Sequence, residues 1–269
     1  MIKVVLCGAA GKMGRAIIRE LVKSDDVRLV GAIEAPDNPA VGSDAGLVAG
    51  TKSLGVQIVG TQKLERIIKK TKPDVLVDFT VAHAAVKNVK IAAKHGVQIV
   101  VGTTGFTKEQ LEEIENAVKE SGVTAVLSPN MSVGMNVLFE LVKEAAKLLG
   151  KEYSVEIIEI HHKEKRDAPS GTALRIAEIL SKEMGGLRII VGRTSEEKKE
   201  GIYIHSLRIG DVTGEHTVIF AGQGERLEIT HKAHGRETFA AGVLRAVRFA
   251  YKHRKMGKIC DMWDVLGLR

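Results

Sequence analysis

The side chains best suited to proton chemistry lie in one stretch of twelve residues just past the middle of the chain. Residues 161–172 read HHKEKRDAPSGT, and each of the first seven is titratable. Histidine can deliver a proton near neutral pH, and Lys165 and His162 can bind the negatively charged groups of a substrate. If a helix begins at residues 170–172, its free N–H groups form a site for a carboxylate. The stretch predicts proton transfer to an anionic substrate, with a solvated basic loop as the alternative for the segment taken alone.

Neither a metal centre nor a disulfide framework is expected. Adjacent residues of an extended segment point to opposite sides, and no acid cluster beside His161 and His162 completes a ligand shell. The two cysteines, Cys7 and Cys260, lie far apart and outside any CxxC pair, which argues against a four-cysteine zinc site. We predict no bound metal.

A second chemical signature lies near the N-terminus, where residues 8–14 read GAAGKMG between a strand pattern and a helix pattern. GxxGxxG is a variant of the dinucleotide fingerprint, in which glycines permit a tight turn and close approach of backbone N–H groups to a pyrophosphate. Glu34 follows Gly14 by 20 residues, where an acid can bind ribose hydroxyls. We predict NADH or NADPH binding. The charge of Glu34 repels a 2′-phosphate and favours NADH, although Lys12 and Arg15 could offset that repulsion.

Strand-like and helix-like segments alternate over the first half of the chain. Apolar runs rich in Val and Ile lie at 2–7, 28–33, 56–59, 75–79, 97–101 and 124–127, and amphipathic stretches lie at 14–24, 63–70, 82–94 and 108–121. Near-continuous apolar strands separated by helices predict a parallel sheet covered on both faces. We therefore expect a doubly wound Rossmann domain over residues 1–129.

The pattern changes after residue 129. Helix patterns lie at 133–149, 170–184 and 238–251, and strand patterns lie at 154–160, 201–209, 216–221 and 226–230. The last three strand patterns are joined by turns too short for crossover helices, which favours a mixed or antiparallel sheet. The predicted fold class is α/β, an N-terminal Rossmann domain followed by a C-terminal α+β domain.

Composition and charge narrow the possible partners. The net charge is +7, but basic residues mostly alternate with acidic ones, and aromatic residues are only 4% of the chain. That is too few for base stacking, so we predict no nucleic-acid partner and attribute the basic excess to an anionic small substrate. No apolar run approaches the ~18 residues of a membrane span, and the N-terminus has no signal-peptide pattern. We expect a cytoplasmic protein that does not bind membranes.

The chain resembles the 4-hydroxy-tetrahydrodipicolinate reductase family, also called dihydrodipicolinate reductases. The resemblance covers nearly the whole chain in the family's order, and HHxxKxDAPSGTA is its most specific motif. The matching stretches are GAAGKMG (8–14), GSDAG (42–46), DFT (78–80), GTTGF (102–106), NMSVGMN (130–136), EIHHKEKRDAPSGTA (159–173), GEHTV (214–218), GERLEITHKA (224–233) and DMWDVL (261–266).

The resemblance implies NADH- or NADPH-dependent reduction of (2S,4S)-4-hydroxy-2,3,4,5-tetrahydrodipicolinate to 2,3,4,5-tetrahydrodipicolinate, with loss of water, in lysine biosynthesis through diaminopimelate. It implies a homotetramer assembled through a substrate-binding domain, residues 130–237, and a C-terminal segment, about 238–269, that completes the N-terminal domain. The implied proton donor and acceptor is His161, and the implied second proton donor is Lys165. The implied ligands of the dicarboxylate are His162, Gly171 and Thr172. The implied cofactor-binding residues are Gly8, Ala9, Ala10, Gly11, Lys12, Met13, Glu34, Gly102, Thr103, Thr104, Ser128, Pro129, Asn130 and Met131.

One departure from the family pattern and two alternatives stay open. Many family members carry Arg after the acid that Glu34 matches, whereas this chain has Ala35, so the choice between the two cofactors is open and tilted to NADH. Another Rossmann dehydrogenase of amino-acid metabolism would call for a different catalytic set, for example a cysteine nucleophile, and neither Cys7 nor Cys260 is placed for that. An NADH-sensing regulator that binds DNA would need a basic recognition helix, and none is evident outside the Rossmann pattern.

Overall fold

The computed structural model describes residues 1–193 and 200–268. The chain forms two compact units, the first made of residues 1–132 and 237 onward, the second of residues 133–236. Within the described residues, no helix combines the length and the apolar character that crossing a membrane requires.

Twelve strands and nine α-helices make up the described part of the chain. The strands are β1 (Ile2–Cys7), β2 (Val27–Glu34), β3 (Ile58–Gly60), β4 (Val75–Asp78), β5 (Gln98–Val101), β6 (Thr124–Leu127), β7 (Ser154–His161), β8 (Ile189–Val191), β9 (Ile202–Arg208), β10 (Gly214–Ala221), β11 (Arg226–Ala233) and β12 (Lys258–Cys260). The helices are α1 (Lys12–Lys23), α2 (Ala45–Val48), α3 (Leu64–Thr71), α4 (Ala82–Lys94), α5 (Lys108–Ser121), α6 (Val133–Leu149), α7 (Gly171–Glu183), α8 (Glu237–Lys252) and α9 (Met262–Leu266).

The first unit is built on a seven-stranded sheet of order β12-β6-β5-β4-β1-β2-β3, in which every neighbouring pair is parallel. Successive residues of β1 enter two separate cores. Val4 and Leu6 pack with α1 and α8, whereas Val5 and Cys7 pack with α3, α4 and α5. Because helices cover both faces, the strands are apolar along their whole length, and the predicted Rossmann architecture is confirmed.

The second unit contains a five-stranded sheet of order β11-β10-β7-β9-β8. β10 is antiparallel to both β11 and β7, whereas β7 and β8 each pair parallel with β9, so the predicted mixed sheet is confirmed. Although β9 and β10 follow one another in the chain, β7 lies between them. β7 therefore has a long strand on each side, and its inward-facing side chains are buried.

Helix α8 comes into direct backbone contact with the segment that follows β6. A Cβ atom added to Gly242 would lie only 1.7 Å from the carbonyl oxygen of Met131. Glycine at this position therefore lets the helix approach the segment 128–131, where the sequence predicts cofactor contacts.

Replacement of Gly242 by alanine is expected to lower the melting temperature. Helix propensity alone favours alanine by about 1 kcal/mol, but overlap with the Met131 carbonyl costs about 1–3 kcal/mol when neighbours have to shift. Thermal unfolding followed by circular dichroism tests the prediction. Ala241→Gly, at the exposed neighbouring position, measures the propensity term by itself. A melting temperature at or above that of the wild type would contradict the close contact.

Candidate active site

The end of β7 places a carboxylate next to the first histidine of the predicted site. Glu159 and His161 are two residues apart on a strand, so their side chains lie on the same face of the sheet. The side chain of Glu159 is 0% exposed and that of His161 is 11% exposed. An oxygen of Glu159, Oε2, is hydrogen-bonded to Nδ1 of His161. The histidine is thus oriented by a buried acid.

The second carboxylate oxygen of Glu159 is also bound. Nη2 of Arg208 donates to Oε1 at 2.8 Å, and the backbone N–H of Ser170 donates to the same oxygen at 3.2 Å. Arg208 comes from β9, where it lies opposite His161 in the parallel pairing. Burial opposes ionisation of this acid, but the hydrogen bonds from His161 and Arg208 hold the pKa of Glu159 well below its usual range. Glu159 is therefore a carboxylate anion.

A second buried histidine completes this cluster. His216 on β10 pairs with Glu159 across the sheet, and its ring lies edge-on to that of His161, with the two ring centroids 5.2 Å apart. Its Nε2 lies 3.2 Å from Oγ of Ser170. Burial, with a smaller contribution from the charge of His161, lowers the pKa of His216 to about 3. His216 is consequently neutral at physiological pH.

Glu159, His161 and His216 each offer one atom that could ligate a metal, and these atoms lie within 4.8 Å of one another. No acid beside His161 was expected from the sequence, whereas in the structure Glu159 lies next to it. Both oxygens of this carboxylate already accept hydrogen bonds, from His161 on one side and from Arg208 and Ser170 on the other. The geometry fits a hydrogen-bonded cluster, since an ion would have to displace these bonds.

The loop after β7 carries the remaining residues of the predicted substrate site. Lys165 donates from Nζ to both carboxylate oxygens of Asp167 at 2.8 Å, and its backbone N–H donates to the carbonyl of His162 at 3.0 Å. The side-chain hydrogen bond from Lys165 lowers the pKa of Asp167. The side chain of Lys165 is 22% exposed, and its ammonium group is already paired with the Asp167 carboxylate.

Helix α7 begins one residue later than the sequence pattern suggests. Ser170 is the N-cap and accepts from the N–H of Ala173 at 3.1 Å, so Pro169 precedes the cap. Gly171 and Thr172 are the first helical residues, and Gly171 is exposed. The predicted residues 161, 162, 165, 171 and 172 therefore lie along the segment from the last residue of β7 to the first turn of α7, and the start of the helix offers N–H donors there.

The glycine loop has the geometry that a pyrophosphate requires. Gly8 has φ +81°, and a Cβ there would lie 2.5 Å from the carbonyl oxygen of Phe79. A Cβ on Gly14 would lie 2.1 Å from the carbonyl oxygen of Gly8, so α1 packs tightly on the loop. Gly11 is the N-cap of α1 and provides no capping side chain. The first N–H groups of a twelve-residue helix are thus available to an anionic group, and the loop fits a dinucleotide.

Glu34 ends β2 beside this loop. Its Oε2 accepts from the backbone N–H of Ala10 at 2.9 Å, and its Oε1 accepts from that of Ala35 at 3.0 Å. Arg15 donates from Nε to the carbonyl of Ala10 at 2.8 Å. The structure therefore brings Glu34 and Arg15, one of the two cations that could offset its charge, to the same glycine loop.

The other predicted cofactor residues follow β5 and β6, at the carboxyl edge of the sheet where doubly wound folds bind ligands. Asp78, an acid of the DFT stretch to which the sequence assigned no role, is buried and fixes the first of these segments. Its Oδ1 accepts from Oγ1 of Thr103 at 3.0 Å and from the N–H of Thr80 at 3.0 Å, and its Oδ2 accepts from Nδ2 of Asn88 at 2.8 Å. Burial raises the pKa of Asp78 in spite of these donors.

The segment after β6 is closed by its own hydrogen bonds. Ser128 donates from Oγ to the carbonyl of Asn130 at 2.9 Å, and Oδ1 of Asn130 accepts from the N–H of Ser132 at 2.9 Å. Pro129 lies between them, and Met131 is buried against α8. This segment thus holds a defined conformation at the end of the sheet.

Similarity to known proteins covers both units. Residues 2–131 match the family model for the N-terminus of dihydrodipicolinate reductase, and residues 134–266 match the model for its C-terminus. The chain is 52% identical over 272 residues to a 4-hydroxy-tetrahydrodipicolinate reductase of Methanocaldococcus jannaschii, covering 100% of this chain and 98% of that one. It is 50% identical to the 4-hydroxy-tetrahydrodipicolinate reductase of Methanobrevibacter smithii, with full coverage of both chains.

A solved structure is similar over the same extent. Dipicolinate-bound dihydrodipicolinate reductase from Paenisporosarcina sp. TG-14 superposes with a TM-score of 0.78 and 26% sequence identity, covering 98% of each chain. The two-unit architecture is therefore shared with an enzyme of that name.

The neutral state of His216 predicts a specific dependence of stability on pH. Below its ordinary pKa of 6.5, His216 binds a proton in the unfolded chain, whereas in the folded protein it remains neutral down to about 3. Stability should therefore fall as the pH drops from about 6.5 towards 3, because the unfolded state then binds more protons. In His216→Gln, whose amide can still bond to Ser170, this component of the loss should be absent.

Urea unfolding at several values between about pH 7 and pH 4.5 measures the effect. The exposed His83→Gln provides the control and should follow the wild type. Parallel curves for the wild type and His216→Gln would show that His216 does not resist protonation in the folded state.

Proposed function

The chain belongs to the dihydrodipicolinate reductase family, and on this premise we propose that it reduces 4-hydroxy-tetrahydrodipicolinate to tetrahydrodipicolinate with a nicotinamide cofactor. The observation that carries the proposal is the 52% identity to a 4-hydroxy-tetrahydrodipicolinate reductase over the whole chain. The protein is thus an oxidoreductase, and its reaction belongs to the diaminopimelate route of lysine biosynthesis. The reaction consumes one hydride and one proton and releases the 4-hydroxyl as water.

In this proposal the first unit binds the cofactor. The glycine loop and the start of α1, residues 8–13, bind the pyrophosphate, and Glu34 binds the adenosine ribose. Segments 102–104 and 128–131 bind the remainder of the molecule. When bound, the cofactor supplies the hydride for C4 of the substrate ring.

We propose that both NADH and NADPH are used, with NADH slightly favoured. The carboxylate of Glu34 repels a 2′-phosphate, and Ala35 offers no positive charge to offset it. Lys12 is exposed, and Arg15 is hydrogen-bonded to the carbonyl of Ala10. Both therefore place positive charge near the ribose site, which lets NADPH bind as well.

The second unit supplies protons and binds the dicarboxylate. The imidazolium of His161 gives the proton on Nε2 to the electron-rich carbon that hydride addition leaves in the ring, and a neutral imidazole remains when that N–H bond breaks. Lys165 is the second proton donor, and the anionic substrate competes with Asp167 for its ammonium group. His162 and the N–H groups of Gly171 and Thr172 bind the carboxylates at the start of α7.

We further propose a homotetramer, in the cytoplasm, that assembles through the second sheet. Along β7 the residues that face away from the buried cluster are only partly covered, among them Ile158 and Ile160. Leu207 lies opposite Ile160 on β9 and is 39% exposed. An apolar sheet face of this kind suits packing against the same face of another copy.

Replacement of Lys165 by alanine should lower turnover about 100-fold, because the variant lacks a proton donor and a cation that holds the substrate. NADH and NADPH oxidation by freshly generated 4-hydroxy-tetrahydrodipicolinate measures the rate, and NADH binding should remain at the wild-type level. Lys163→Ala, at an exposed position of the same loop, loses the same charge and should retain activity. A wild-type protein that binds NADH but oxidises neither cofactor would overturn the proposed reaction, and full activity of Lys165→Ala would remove Lys165 from it.

Replacement of Glu34 by arginine should shift the preference towards NADPH, since a cation would replace the anion beside the 2′-position. The ratio of kcat/KM for the two cofactors measures the shift. Asp37→Arg, an exposed position three residues further on, makes the same charge change and should leave the ratio unaltered. An equal shift in both variants would indicate a general effect of charge and would exclude a specific contact between Glu34 and the ribose.

A further inference from the structure

We infer that Glu159 is a positioning residue that keeps a proton on Nδ1 of His161, so that Nε2 exchanges a proton with the substrate. This inference rests on the proposed function, in which His161 is the proton donor. Nothing in the sequence pattern of the HHKEKRDAPSGT stretch assigns a role to this acid. The assignment comes from the buried contact between Oε2 of Glu159 and Nδ1 of His161.

The surroundings of Glu159 require an acceptor at both oxygens. Oε1 receives hydrogen bonds from Nη2 of Arg208 and from the backbone N–H of Ser170, and both of these groups can only donate. Burial opposes ionisation of the carboxyl, but the cation Arg208 at Oε1 lowers its pKa whichever partner holds the hydrogen atom at Oε2, so Oε2 carries no proton. The hydrogen atom between Oε2 and Nδ1 must then belong to His161.

This arrangement decides which nitrogen does the chemistry. With Nδ1–H committed to Glu159, the imidazolium can release only the proton on Nε2, and the neutral ring that remains keeps its Nδ1–H. The space beside Nε2 is free of a side chain on one side, because Gly214 lies there. A Cβ atom at that position would be 3.1 Å from Nε2. Because His216 is neutral, it places no second positive charge next to the imidazolium of His161.

A glutamine at position 159 should reverse the assignment. An amide has one acceptor oxygen and one donor nitrogen, and the oxygen would be needed by Arg208 and Ser170. The amide N–H₂ would then face Nδ1, which can accept only if the ring proton moves to Nε2. A neutral ring with Nε2–H is a far weaker acid than an imidazolium stabilised by a carboxylate, so the variant would lose the proton donor while keeping every side-chain volume.

The kinetic test uses Glu159→Gln, His161→Gln and the double variant. We expect kcat of Glu159→Gln to fall by about 100-fold, the lower bound of what a positioned acid contributes, with KM for the substrate and the dissociation constant for NADH unchanged. In the His161→Gln background the second substitution should cause no further loss, because Glu159 acts through His161. Equal losses in both backgrounds, or a rise in KM alone, would overturn the inference.

Glu156→Gln is a matched control on the same strand. Glu156 faces the opposite side of β7 and likewise bonds to a histidine and an arginine, His205 at 2.8 Å from Oε2 and Arg193 at Oε1. This variant loses the same type of contact without touching His161, and it should retain wild-type kcat. A loss as large as that of Glu159→Gln would assign the effect to the stability of the strand and would overturn the inference.

Nitrogen-15 NMR of histidine-labelled protein tests the assignment without turnover. For the neutral ring of His161 we expect the proton on Nδ1 in the wild type and on Nε2 in Glu159→Gln. An Nε2–H ring in the wild type would overturn the inference, and this measurement decides it even if the variant fails to fold. If the wild type shows Nδ1–H but does not turn over the substrate, the proposed reaction fails and the role of Glu159 in setting the ring proton stands.

Discussion

A carboxylate that is removed from water has to be surrounded by hydrogen-bond donors, and this requirement shapes the predicted sites of both units. Asp78 in the first unit and Glu159 in the second are both 0% exposed. Leaving one such oxygen without a donor would cost about 1–3 kcal/mol or more. The groups that donate to these oxygens are therefore held in fixed positions. They come from loops and neighbouring strands, Thr103 and Asn88 around the first acid, Arg208 and Ser170 around the second. Each acid thereby fixes the backbone that carries predicted site residues.

The two sheets make these contacts possible in the same way. Neighbouring parallel strands end at the same edge of a sheet. The loops that follow them therefore lie close together there, although they come from different parts of the chain. Asp78 ends β4 and reaches the loop after β5. Glu159 lies close to the end of β7, beside Arg208 at the end of β9 and the N-cap of α7. In both units the acid is fixed on a strand, and its hydrogen bonds fix the conformation of the neighbouring loop.

The sequence predicts the elements better than it predicts their neighbours. Periodicity locates every helix longer than five residues, because each has an apolar face or a capping residue, as in α5 with Thr107 as its N-cap. It misses β8, β12, α2 and α9, which contain three to five residues and are too short to show a period. The segment 161–172 is evident from its composition, and Glu159 could have been found from the two-residue repeat of β7. Arg208 could not, because its place beside His161 depends on the insertion of β7 between β9 and β10.

The order in which the strands of the first sheet are synthesised differs from their order in space. β12, the last strand in the sequence, pairs with β6, although more than a hundred residues, including the second unit, are made between them. On the ribosome, one edge of β6 therefore stays without its partner strand while residues 133–236, the second unit, are synthesised. An open apolar edge of this kind attracts other strands. Until the C-terminal segment has been made, β6 therefore keeps one edge open to pairing with the wrong strand.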